Sequence, residues 1–190
     1  MKTYSIGSKK YRWWHGVAFY AGVQVARLAL RAAARKFSDQ RPLNTHTEEK
    51  AFYQSQKLPA FAPPAAAFPI AWSINSVAAI AGGLHVLNLP RNKNGRTDFL
   101  WLQAGSWALF AAFDTAYFGL RSPVNAAVIT VLYSALTAAS IKVAVDRMHD
   151  TAAAYALAPT AAWLALANPV GIATAALNPD SFWQTRALIR

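Results

Sequence analysis

Residues 58–90 read LPAFAPPAAAFPIAWSINSVAAIAGGLHVLNLP and contain no Asp, Glu, Lys or Arg. A hydrocarbon layer roughly 30 Å thick takes about 20 apolar helical residues to cross. The part of this stretch after Pro64 meets that length, and the core of a small soluble domain has no room for it. It predicts a membrane helix over 65–89, approached through a proline-rich turn. Lipid is then the solvent against which every other segment is judged.

Working outward, four more apolar runs cover 13–30, 99–120, 124–141 and 151–179, separated by polar connections. The first is short and interrupted by His15, Gln24 and Arg27, so it is either a span or an interfacial helix. Trp13 and Trp14 suit one membrane interface, and Arg27 could snorkel to the other. Arg27, Arg31 and Arg35 recur every four residues, which predicts a helical stripe facing the headgroups. The polar segment 37–57, with Asp39, Pro42, Asn44, Glu48 and Glu49, reads as an extramembrane loop. Pro69 falls in the first turns of the 65–89 helix, where a missing N–H is tolerated. Gly82 and Gly83 permit close helix contact. Pro159 and Pro169 predict a kink in the last run. The expected architecture is all-α: a polytopic bundle of five transmembrane helices.

Composition agrees. Of 190 residues, 55% are hydrophobic and only 14% charged, where a soluble domain carries about 25% charge. With no cysteine, disulfides, thiolate metal sites and a Cys nucleophile are excluded. The net charge of +11 comes from basic residues gathered between the apolar runs, which suits anionic headgroups better than nucleic acid. Lys2, Lys9, Lys10, Arg12, Arg27, Arg31, Arg35 and Lys36 precede the first acid, the composition of an organelle-targeting segment. That favours a mitochondrial membrane, with a bacterial inner membrane as the alternative. Lys and Arg are nearly balanced across the two sides, so orientation stays open. There is no Gly-rich phosphate loop, nucleophile elbow, His-Glu-x-x-His or pair of intramembrane carboxylates, so no enzyme is expected.

At 52–72 the residues FYQSQKLPAFAPPAAAFPIAW resemble the second-helix signature of the TspO/translocator protein family, the tryptophan-rich sensory proteins also called peripheral benzodiazepine receptors. Phe52, Tyr53, Lys57, Pro59, Phe61, Pro63, Pro64, Phe68 and Trp72 stand at the family's spacings. Tyr117, Phe118 and Gly119 resemble its third-helix Phe-Phe-Gly, and Pro159, Trp163, Ala167 and Asn178 its fifth-helix pattern. The resemblance covers about 50–179. It departs at Thr160, Gly171, Phe113 and Ser76, where the family has Tyr, Asn, Trp and Tyr. What it implies is a five-helix bundle with a cavity for a hydrophobic planar ligand, a porphyrin or haem, a sterol or a bound lipid. Trp72, Trp163, Asn178 and Phe61 are the cavity residues so implied. On this basis 1–50 is a basic region with the first helix and a polar loop, 51–180 the helical membrane core and 181–190 a tail. The altered cavity positions leave an alternative: a non-catalytic accessory subunit of a larger respiratory or photosynthetic membrane complex that reuses the fold. Expected partners are membrane lipids and either such a complex or, in a homodimer, a second copy of the chain.

Asp114 is the one acid well inside a span, so it must face a polar cavity, bond a neighbouring helix or partner, or be protonated. It is a candidate ligand anchor. His15 and His85 could ligate a haem or chlorophyll metal, or meet headgroups at helix ends. No histidine pair has zinc-ligand spacing, and no metal site is expected.

Overall fold

A computed structural model describes residues 10–34, 43 and 45–189. Lys2, Lys9, Arg35, Lys36, Asp39, Pro42 and Asn44, to which the sequence assigns roles above, lie outside them, as does the His46 side chain.

Every named element among the described residues is helical: α1 (Trp13–Ala34), α2 (His46–Ser55), α3 (Ala67–Asn88), α4 (Arg96–Asp114), α5 (Pro123–Lys142), α6 (Thr151–Tyr155) and α7 (Ala158–Leu177). α4 and α5 each run on into a π turn, Thr115–Gly119 and Val143–Arg147. Local chemistry sets several boundaries. Ser122 accepts from the Asn125 N–H at 3.0 Å with Pro123 at the first helical position of α5, and Asp150 caps α6 through the Ala153 N–H at 2.9 Å. Gly95, at φ 75°, supplies the left-handed residue that turns the chain into α4.

One expectation is corrected at once. The segment read as a loop contains α2, opened by a capping box: Thr45 accepts from the Glu48 N–H at 3.2 Å while Glu48 accepts from the Thr45 N–H at 3.1 Å. Its carboxylates and its Phe52 and Tyr53 lie on a helix and can be aimed at the bundle. The last run also departs from a single kinked helix. It breaks at 156–157, Pro159 sits in the first turn of α7, and Pro169 lies inside that helix.

The long helices pack side by side in the cyclic order α1, α4, α5, α7, α3, with α6 against α3 and the π turn of α5. Their interior combines an apolar cluster of Val86, Phe99, Met148 and Leu157 with many polar side chains, and apolar ones cover the outside. Asn75, Ser76, Gln103, Ser106, Thr130, Thr137, Ser140, Thr160 and Thr174 are buried, while Val17, Val25, Leu28, Ile70, Val77, Val131 and Ile172 face outward. In water that arrangement would cost hydration inside and leave apolar surface outside; in lipid both terms reverse. Helices are joined by bonds such as Gln103 Nε2 to Ser140 Oγ at 2.9 Å and Asn168 Nδ2 to Ser134 Oγ at 2.7 Å.

Among the described residues, three stretches are long and apolar enough to cross a membrane: Ala67–Asn88, Pro123–Arg147 and Thr151–Leu177. With 22 and 19 residues, α1 and α4 have the length, but α1 carries Arg27 and Arg31, and α4 carries Arg96, Asp98 and Asp114. Among the described residues the protein is therefore all-helical, with three helical stretches of spanning length and hydropathy, and the status of α1 and α4 turns on how their charges are held.

Candidate functional site

Inside the ring, under α2, lies a cavity of about 550 Å³. That volume is in the range of ligand pockets, roughly 300–1,000 Å³. α3 contributes Phe68 and Trp72, α4 and its π turn Phe110, Phe113, Tyr117 and Phe118, α5 Tyr133, and α1 Tyr20. The rings are packed edge to face or stacked. Trp72 lies 5.7 Å from Tyr133 at 29° and 5.4 Å from Phe110, and Phe110 continues to Trp107 at 5.3 Å. Such contacts brace the rings against one another and give the cavity an aromatic lining. The π turn places Tyr117 and Phe118 side by side, 4.5 Å apart, with Phe52 of α2 against both.

Tyr53 positions the lid of this site. Its hydroxyl donates to the Pro63 carbonyl at 3.0 Å and its ring meets Phe68 at 5.1 Å, so α2 is bonded to the turn that leads into α3. Burial raises the Tyr53 phenol above its ordinary pKa. The hydroxyl therefore stays protonated and able to donate throughout the physiological range.

Charge enters from one side. Arg27 and Asp114 form an ion pair between α1 and α4, both lining the cavity, and Arg27 Nη1 also donates to Gln24 Oε1 at 2.7 Å. The guanidinium lies 5.3 Å from the Phe110 ring centroid. Arg31 pairs with Glu49 of α2 at 2.8 Å. The expected headgroup-facing stripe is thus corrected: Arg27 and Arg31 turn inward, because each finds a carboxylate on a neighbouring helix that a headgroup would otherwise supply.

The nominated residues separate. Trp72 and Asp114 line the large cavity. Trp163 lines a smaller hollow of about 50 Å³ beside it, with Ala167 and Gly171, and packs edge to face on Phe68 at 5.3 Å. Its indole N–H is buried without a hydrogen-bond partner among the described residues. Asn178 lines neither cavity; its carboxamide is bonded to Lys57 and Thr174. Phe61 lines neither and is 53% exposed, since it sits on the outer side of the turn before α3. Of the altered positions, Phe113 lines both cavities, while Thr160 and Ser76 are buried in the helix packing.

His85 and His15 are engaged elsewhere. His85 Nε2 lies 2.8 Å from Asp150 Oδ2, and His15 accepts from the Arg12 N–H at 3.0 Å while stacking on Trp14. Among the described residues no group of three His, Asp or Glu side chains could hold a metal.

Sequence reasoning missed Tyr20, Lys50, Phe110 and Tyr133 as cavity residues. For Phe110 a signal existed. Phe110, Phe113 and Tyr117 are spaced three and four apart along α4 and its π turn, which puts them on one face.

The sequence matches the TspO/MBR family over residues 28–176. The chain belongs to the TspO/MBR family. The match runs from the second half of α1 almost to the end of α7, and so takes in part or all of every helix that walls the cavity. TspO/MBR membership makes this an integral membrane protein of a family whose general role is ligand binding or transport rather than catalysis. No curated protein sequence matches the chain significantly.

Proposed function

We propose that this TspO/MBR protein binds or carries a hydrophobic planar ligand, of porphyrin or sterol class, in the aromatic cavity. One observation carries the reading: a slot of about 550 Å³ is walled by Trp72, Phe110, Phe113, Tyr117 and Tyr133. A space that large, kept open by rings already packed on one another, is pre-formed for a flat apolar guest. It persists despite the departures at Thr160, Gly171, Phe113 and Ser76, which favours a binding role over that of an accessory subunit with a filled core.

The test is a titration of protoporphyrin IX into the purified full chain, followed by the shift of the porphyrin's main visible absorption band. Saturable binding is expected. Trp72→Ala, which removes a wall, weakens it about tenfold, and Trp163→Ala, one layer back, weakens it less. Binding that never saturates, or that ignores Trp72→Ala, refutes the reading.

We further read α1 and α4 as the fourth and fifth spans. In this reading the Arg27 to Asp114 pair removes net charge from the hydrocarbon. The absence of native cysteine makes the test clean. A membrane-impermeant maleimide should label Lys10→Cys and Lys50→Cys from opposite faces; labelling of both from one face overturns the five-span bundle. A mitochondrial membrane is the location favoured by the acid-free basic N-terminus, and a fluorescent fusion tests it.

A further inference from the structure

Beyond α7 the chain turns back on itself. The Asp180 and Thr185 backbones pair across the reversal, each N–H donating to the other's carbonyl at 3.0 and 3.1 Å. The Leu188 and Ile189 N–H groups then reach the Ala176 carbonyl at 2.8 and 3.0 Å. Ala176 lies in the last turn of α7, inside a stretch of spanning length and hydropathy. α5 holds the segment too: Trp183 Nε1 donates at 2.8 Å to Asn125 Oδ1, in the first turn of that helix. Residues 181–189 are thus fixed at the level where α7 ends and α5 begins.

The outer side of this segment suits neither water nor hydrocarbon. Trp183 is 55% and Leu188 85% exposed, and Phe182 and Ile189 are exposed as well, a run of apolar surface that water disfavours. Its backbone is irregular, and hydrocarbon does not accept irregular backbone. Charge decides between the remaining environments. Asp180, the nearest acid, is turned inward onto four donors, so Arg186 is the only charged side chain from 181 to 189, and it is exposed. Lys57, whose backbone Asn178 bonds, is exposed at the same end. Neither cation has an ion-pair partner among the described residues. A second copy docked here about a two-fold axis would bring the same cations together. Anionic headgroups neutralise them, and the boundary beneath those headgroups accepts tryptophan and aliphatic side chains.

We propose that residues 181–189 form an interfacial anchor for an anionic lipid surface. Trp183, Leu188 and Ile189 enter the boundary between headgroups and acyl chains, while Arg186 and Lys57 meet the headgroups. The bonds to Ala176 and Asn125 set the depth of the anchor and fix the ends of α7 and α5 at one membrane face. This role is independent of what the aromatic cavity holds.

With no native cysteine, the full chain takes a single label. Leu188→Cys carries a nitrobenzoxadiazole dye in vesicles of phosphatidylcholine, alone or mixed with phosphatidylglycerol. Because Leu188 is held through its backbone N–H, the label leaves that bond in place. Val131→Cys, exposed midway along α5, and Asn92→Cys, exposed in the turn between α3 and α4, calibrate hydrocarbon and water. The dye at 188 is expected to be quenched by a nitroxide near the headgroup end of the lipid chains, and several-fold less than at 92 by aqueous iodide. Phosphatidylglycerol moves the segment further into lipid by about fivefold for each basic residue, and Lys57→Gln with Arg186→Gln cancels that shift. Iodide quenching at 188 equal to that at 92 overturns the anchor, and a response matching that at 131 overturns its interfacial depth. Indifference to phosphatidylglycerol overturns the headgroup contact. Protection from both quenchers, with energy transfer between differently labelled chains, puts a second copy on this surface and overturns the lipid reading.

Discussion

The Asn178 carboxamide grips the Lys57 backbone on both sides: the Lys57 N–H donates to Asn178 Oδ1 at 2.9 Å, and Asn178 Nδ2 donates to the Lys57 carbonyl at 2.9 Å. The same Nδ2 reaches the Thr174 carbonyl at 2.8 Å, one of the acceptors left unpaired at the end of α7. The connection from α2 to α3 is therefore fastened to the far end of the last helix. Asn178→Ala strips all three bonds, and the expected loss is about 2–4 kcal/mol. Thermal unfolding in detergent measures it, with Asn178→Asp, which keeps only the acceptor, falling between the two. An unchanged midpoint for Asn178→Ala would show that the grip contributes nothing.

Gly82 and Gly83 are adjacent in α3 but predict opposite outcomes. A methyl group at Gly82 would meet the Ala156 Cβ at 2.6 Å, and a Cβ held on the backbone cannot move aside. At Gly83 nothing lies within 4 Å. Gly82→Ala should cost about 1–3 kcal/mol as α3 and the α6 end are pushed apart, while Gly83→Ala should be neutral or stabilising by up to about 1 kcal/mol. Equal midpoints for the two variants would contradict the close approach.

Asp180 is 1% exposed and is held from four directions. One oxygen accepts from Ser122 Oγ at 2.6 Å and the Val124 N–H at 3.0 Å; the other accepts from the Phe182 and Trp183 N–H groups at 3.0 Å. A carboxylate at the start of α5 also meets the positive end of that helix. Asp180→Ala orphans buried donors and should cost about 3–5 kcal/mol. Trypsin cleavage after Arg186 provides a second readout, since the segment 181–189 folds back through the Leu188 and Ile189 N–H groups onto the Ala176 carbonyl. Wild-type protection that survives in Asp180→Ala would sink the proposal that this carboxylate anchors the segment.

Acid should loosen the contact between α3 and α6. Burial works to raise the Asp150 carboxyl, but the Ala153 N–H, His85 and Lys93 outweigh it and hold the group below the usual carboxylate range. A folded value below the unfolded one contributes stability above about pH 4 that disappears as the pH falls through the folded value. Between about pH 5 and 3 the wild-type unfolding temperature should fall more steeply than that of Asp150→Asn, which keeps the cap and loses the charge. Parallel slopes would remove Asp150 from the acid response.

The fold was legible where the signal is local. Charge-free runs at 65–89 and 124–141 became α3 and α5 within two residues at each end, because hydropathy over about 20 positions is decided by the segment itself. α2 was missed although its signal was local too: Thr45 and Glu48 stand at capping-box spacing, hidden in a stretch scanned for apolar residues. The site was legible only in part. Arg27 and Asp114 are 87 positions apart, so nothing near Arg27 announced an inward partner, and snorkelling was the natural expectation. The resemblance carried Trp72 to the cavity wall but took Asn178 and Phe61 with it, and those two serve the clamp on α7 and the turn before α3.

The π turn at Thr115–Gly119 closes through the Leu120 N–H and the Thr115 carbonyl at 2.9 Å, one residue more per ring than an α turn. Excision of Ala116 would let an ordinary α turn form, so the backbone would tolerate the loss. Every ring on the upstream side would then be swung by about 100° relative to Pro123 and the body of α5. The length of this loosened ring thus acts as a phase dial for the aromatic wall, and indels at that spot offer a coarse route to reshaping the slot that point substitutions along α4 do not.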